Sequence, residues 1–152
     1  MNDKRYADMH QGKVDAGQAN KDDLLAQLSE LESRARSLKC MDAVAEIKRR
    51  EKSLRVNKLN KATYRSALEF IKNIKEKLDF ASQCADLLSR LDALKNTAKS
   101  IFHIDFANEI ERKKIDLITG DFTEEKYLDA VAFANMMTAK IQDSAERQSR
   151  GF

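Results

Sequence analysis

At 152 residues the chain has the length of one domain, and 42% of its residues are hydrophobic, enough to bury a core without disulfide or metal staples. It has no proline, no tryptophan and only four glycines, so the turns a sheet protein needs are missing and helix is the expected state. Its formal charge of +3 is unevenly placed: residues 1–47 carry −2, residues 48–77 carry +8 and residues 78–152 carry −3. That basic middle can serve the protein's own acidic flanks or an external anion.

Residues 1–19 lack hydrophobic period, contain Gly12 and Gly17, and read as a flexible N-terminal arm, with a short helix near Tyr6 as the second reading and without the apolar run of a signal peptide. Asn20 is placed to cap a helix with Asp22 and Asp23 in its first turn. Leu24, Leu28, Leu31, Ala35 and Leu38 then repeat at steps of four and three, one apolar stripe. The stripe loses phase near residues 39–42, which predicts, with one continuous bent helix as the alternative, a hairpin in which Asp42 caps a second helix. Its buried face is Ala43, Val44, Ile47 and Leu54. Glu30–Arg34, Glu32–Arg36, Glu46–Arg50 and Glu51–Arg55 add pairs four residues apart on the outer faces.

After a break at Asn57 and Asn60, a heptad seam runs through Tyr64, Ala67, Ile71, Ile74, Leu78, Ala81, Ala85 and Leu88. It continues one step out of phase through Leu87, Leu91, Leu94 and Ala98. Residues 61–99 are therefore either one long, coiled-coil-like helix or two helices parted at the slip. Ile101, Phe102, Phe106, Ile110 and Leu117 mark a further helix ending at Gly120. Asp121 or Thr123 caps the last, which is apolar nearly all round from Ala130 to Ala139. Leu128, Val131 and Met136 lie on one of its sides, Phe133, Met137 and Ile141 on another. Residues 148–152 read as a frayed tail. The tetrapeptide Asp-Ala-Val-Ala at residues 42–45 recurs at 129–132, a spacing that fits no helical repeat and reads as a chance echo.

The expected fold is all-α: antiparallel helical hairpins in a bundle of four to six helices, forming a single domain over residues 20–147. No stretch approaches the ~20 apolar residues that span a bilayer. Two cysteines inside helical patterns read as reduced thiols, which suits the cytoplasm.

Catalytic chemistry is poorly supplied. His10 falls in the arm, and His103 and Asp105, two apart on a helix, point to different faces. Cys40 and Cys84 stand alone, without the Cys/His clustering of a zinc site. No Glu-x-x-His pair supplies a di-iron centre, and no two glycines fall close enough for a phosphate loop. The chain is accordingly expected to be no enzyme and to need no cofactor or metal.

Lys48, Lys52 and Arg55 form one basic stripe, and Lys61, Arg65 and Lys72 a second. Two such stripes on neighbouring helices could track a phosphate backbone. Against that, the isoelectric point of 8.8 is modest and no aromatic residue but Tyr64 is interleaved for base stacking. The reading is a non-enzymatic interaction module (adaptor, regulator or scaffold) laying an apolar helical face against a protein or a second copy. Its candidate contacts are Lys48, Lys52, Arg55, Lys61, Arg65, Phe133, Met136 and Met137, with nucleic-acid binding by residues 48–77 as the alternative.

Overall fold

A computed structural model describes the backbone of residues 2–151 and the side chains of residues 18–151. It holds five helices, α1 (Asn2–Ser37), α2 (Met41–Val56), α3 (Lys61–Ser100), α4 (Ile104–Ile118) and α5 (Glu124–Arg150), and no strand among the described residues. None of these helices is long and apolar enough to cross a membrane. Helix α1 begins at Asn2 and takes in most of the segment read as an arm. Asn20 consequently lies inside a helix and caps nothing. Glycine costs an interior only about 1 kcal/mol, so Gly12 and Gly17 need not end it.

Residues 20–147 are expected to form one domain, whereas contacts divide the chain into two compact units, Met1–Ala81 and Ser82–Phe152. The division falls inside α3, which is one helix from Lys61 to Ser100. The phase slip read from the sequence marks this change of core. Ala67, Ile71, Ile74 and Leu78 are buried with α1 and α2, and Leu87, Leu91 and Ala98 are buried with α4 and α5. Ala85, expected in the seam, is exposed between them.

Lys39 and Phe102 share positive φ values of 60° and 62°. Before each, a helix closes in the same Schellman geometry. The Cys40 amide donates to the Ala35 carbonyl at 2.9 Å and the His103 amide to the Ala98 carbonyl at 2.8 Å. Cys40 and His103 then open the next helix at N-cap torsions of −86°, 75° and −94°, 76°. Helix α4 thus starts at Ile104, and Ile101 and Phe102 belong to the break preceding it. Asp42, expected as a cap, lies in the first turn of α2.

These paired features are 63 residues apart, and residues 21–81 and 84–144 follow that register. Between residues 21–81 and 84–144, 16 of 61 aligned positions are identical, and ten of those lie in or against the two cores, so what is shared is the core. Leu24, Leu28, Ile47, Leu54, Tyr64, Ala67 and Phe70 of the first unit answer to Leu87, Leu91, Ile110, Leu117, Tyr127, Ala130 and Phe133 of the second. Even the polar contacts repeat. Arg50 sits 4.7 Å over Phe70 and bonds Ser66, while Lys113 sits 5.5 Å over Phe133 and pairs with Asp129. Residues 21–144 are thus a tandem repeat of one three-helix unit, at an offset of 63 that the Asp-Ala-Val-Ala echo does not share.

Of the four expected pairs within helices, Glu32–Arg36 forms at 3.0 Å and Glu51–Arg55 at 3.8 Å. In the other two, one partner turns to α3 instead: Arg34 reaches Asp79 at 2.6 Å and Glu46 faces Lys77 at 3.7 Å.

Candidate interaction surface

The basic candidates all lie on the first unit and all are exposed. Leu54 and Ile47 fill the core side of α2, which leaves Lys48, Lys52 and Arg55 along one outer flank. Lys48 lies 3.9 Å from Glu32 of α1, and Arg55 lies 3.8 Å from Glu51. Lys52, Lys61 and Arg65 meet no carboxylate among the described residues.

The two basic stripes do not form one track. On α3, Lys61, Arg65, Lys72, Lys75 and Asp79 follow one helical flank, at whose end Asp79 pairs with Arg34 of α1. Lys75 lines a groove of about 280 Å³ with Gln27, Glu30, Leu31, Arg34 and Asp79. Glu32, which meets the α2 stripe, projects from the opposite flank of α1. Helix α1, carrying Glu30 and Glu32, therefore stands between the stripes. A phosphate backbone following both would have to cross these acids, which corrects the expectation of adjacent tracks.

On α5 the apolar girdle resolves into a core side and an outer side. Ala130, Ala134, Met137 and Ile141 are buried. Met137 is fully buried, so of the expected methionine contacts only Met136, 43% exposed, faces outward. Phe133 is half-buried beneath the Lys113 ammonium. Leu128 is 60% exposed on the outer side.

The outer flank of α4 is the surface that the sequence reading missed. Ile104, Ile115 and Ile118 are all exposed, Ile118 by 63%. The 63-residue register exposes the relation: Glu111, Ile115 and Ile118 occupy the positions of Lys48, Lys52 and Arg55. One stripe, present twice, is basic on α2 and largely apolar on α4. The residues were legible as exposed from the α4 period, since Ile110 and Leu117 fix the buried side. Their significance needed the repeat.

Glu51 is the other unforeseen residue. It is 8% exposed, its Oε1 has no partner, and burial, then the neighbouring Glu32, push its carboxyl above the ordinary range against the pull of Arg55 and Lys48. Its position was legible: Ile47 plus four lies on the buried face of α2. In the second unit the same place holds Lys114, which pairs with Asp92 of α3.

Neither cysteine forms a disulfide. Cys40 accompanies the first core, and burial raises the Cys84 thiol. His103 stacks on Phe106 at 3.4 Å and makes no capping bond with its side chain. Among the described residues no three metal-capable side chains come together. No protein-family model, curated protein or solved structure matches the chain.

Proposed function

We propose that this chain is a non-enzymatic helical interaction module, an adaptor, regulator or scaffold, whose two repeats present differently coloured faces to protein. The observation that carries this reading is the α2/α4 stripe. Both cores close without it, so the exchange of Lys52 and Arg55 for Ile115 and Ile118 answers no demand of the fold. Exposed isoleucines beside well-packed cores mark contact surfaces. A cytosolic setting, in which both thiols stay reduced, suits the reading.

A photo-crosslinking residue placed in turn at Lys52, Ile118 and the exposed Glu146, outside both stripes, tests it in extracts of source cells. Discrete protein adducts from positions 52 and 118, and none from 146, are expected. Nucleic-acid adducts at position 52 would establish the alternative, and equal labelling at all three would remove both.

A further inference from the structure

Each repeat passes from its short helix into its third helix over the same backbone path, and the charges along that path are opposite. Residues 52–68 hold Lys52, Arg55, Lys58, Lys61 and Arg65 and no acid. The equivalent residues 115–131 hold Asp116, Asp121, Glu124, Glu125 and Asp129 against Lys126 alone. Lys126 donates to the Thr119 carbonyl at 3.3 Å, and Asp129 pairs with Lys113. Of the five cations only Arg55 has a carboxylate within 4 Å among the described residues, Glu51 at 3.8 Å.

The basic set runs against local helix electrostatics. The first turn of a helix favours acids, as Glu124 and Glu125 of α5 illustrate, yet α3 opens on Lys61 with no acid in its first turn. Apolar side chains accompany both surfaces: Val56 and Leu68 are exposed beside the cations, and Ile115, Ile118 and Leu128 beside the acids. Lysine and arginine stems can cover such isoleucines while their charged heads reach the carboxylates.

We infer that the basic turn of one copy docks on the acidic turn of a second copy. This rests on the reading of the chain as an interaction module and names its partner. The contact uses different faces on the two copies, so each molecule keeps one face of each sign to offer, and association closes into a ring or continues as a chain.

Sedimentation velocity over a concentration series, at low and high salt, tests this on the full chain. Wild-type protein should associate at low salt and dissociate at high salt. Lys58→Glu/Lys61→Glu cuts the basic turn from +5 to +1, and Asp121→Lys/Glu124→Lys takes the acidic turn from −4 to zero, so each variant keeps one intact face. Each variant alone should associate at least tenfold more weakly, and an equimolar mixture should regain association, which a misfolded variant could not do. A wild-type monomer at low salt, association indifferent to both reversals, or a mixture that stays monomeric would overturn the inference. Should the chain prove monomeric while positions 52 and 118 still crosslink to another protein, self-docking falls and the interaction-module reading stands.

Discussion

In the first unit Glu32 of α1 faces Lys48 of α2; 63 residues on, Lys95 of α3 faces Glu111 of α4, the same bridge with its charges exchanged. Between the units most core positions stay apolar, Ile74 giving way to Met137, Leu78 to Ile141 and Ile71 to the smaller Ala134. Charge is kept at some positions, Arg49/Arg112 and Lys77/Lys140 among them, and inverted at others, Glu32/Lys95, Lys48/Glu111, Lys58/Asp121 and Lys61/Glu124. The comparison separates two kinds of constraint. A core must stay apolar but can trade volume between positions, as Ile71 to Ala134 and Ala43 to Phe106 do, whereas exposed charge contributes so little to stability that it is free to diverge toward binding.

The sharpest way to break the comparison is through the core. Ile74 is 3% exposed in the first core, and Ile74→Asp would bury an unpaired carboxylate at a cost of several kcal/mol. Its neighbour Lys75 is exposed, and Lys75→Asp should be tolerated. Thermal unfolding followed by circular dichroism reads both, and equal melting temperatures would show that this face of α3 is misassigned.

Glu51 against Lys114 gives the next effect. Because burial and then Glu32 hold the Glu51 carboxyl above its ordinary value, folding favours its protonated form. Its contribution is therefore fully present below the ordinary carboxylate range and is lost as pH rises through the raised value. Glu111 runs the other way: the hydrogen bond from Lys95 holds its carboxyl low, so its contribution is present above the ordinary range and lost as pH falls. Glu51→Gln should stabilise the protein at neutral pH by about 1 kcal/mol, the scale of relieving a poorly satisfied buried group. That advantage should shrink on acidification through the raised value. An advantage independent of pH between 4 and 7 would assign it to something other than ionisation.

The helical class, the apolar stripes and the approximate turns were legible because burial imposes a 3.6-residue period on each helix. The long α3 was legible too, but the meaning of its phase slip was not. A step from one core to another looks in sequence like a helix break or a register fault. The repeat stayed hidden because most of the shared core residues are leucines, isoleucines and alanines, common in any helix, and the distinctive Tyr64/Tyr127 and Phe70/Phe133 pairs are few, while the conspicuous echo, Asp-Ala-Val-Ala, joins positions that the fold does not relate. Positive φ at Lys39 and Phe102 could not be read from residue type, since glycine is the usual occupant. Among the basic candidates the sequence found the charges but not α1 between them.

Those two positive-φ residues offer a smaller test of equivalence. A side chain in the left-handed region costs roughly 1–2 kcal/mol, which glycine avoids while losing more chain entropy on folding. Lys39→Gly and Phe102→Gly should each therefore stabilise by about 1 kcal/mol or less. The point is their equality: Phe102 is 87% exposed and Lys39 is exposed, so neither substitution sacrifices a core contact. Unequal shifts in denaturant midpoint, at unchanged slope, would show that the two breaks are not copies.

The smallest effect tests the exchanged bridge itself. Lys48 and Glu32 are separated by 3.9 Å with the lysine largely exposed, while Lys95 and Glu111 approach to 2.6 Å with the lysine three-quarters buried. Glu32 also accepts a bond from Arg36 at 3.0 Å, so losing Lys48 leaves it a partner, whereas Lys95 and Glu111 depend more on each other. Exposed pairs are worth about 0–1 kcal/mol, and a double-mutant cycle isolates the term. Exchanging the partners in the first unit, Glu32→Lys/Lys48→Glu, should cost more than the same exchange in the second, Lys95→Glu/Glu111→Lys. A lysine in place of Glu32 would face Arg36, while the exchanged second pair keeps its salt bridge. The coupling energy in the second unit should nevertheless exceed that in the first by a few tenths of a kcal/mol. Should the first pair couple more strongly, geometry and burial would not be what sets the strength of this repeated bridge, and the inversion of charge between the units would need a cause beyond drift at a permissive surface.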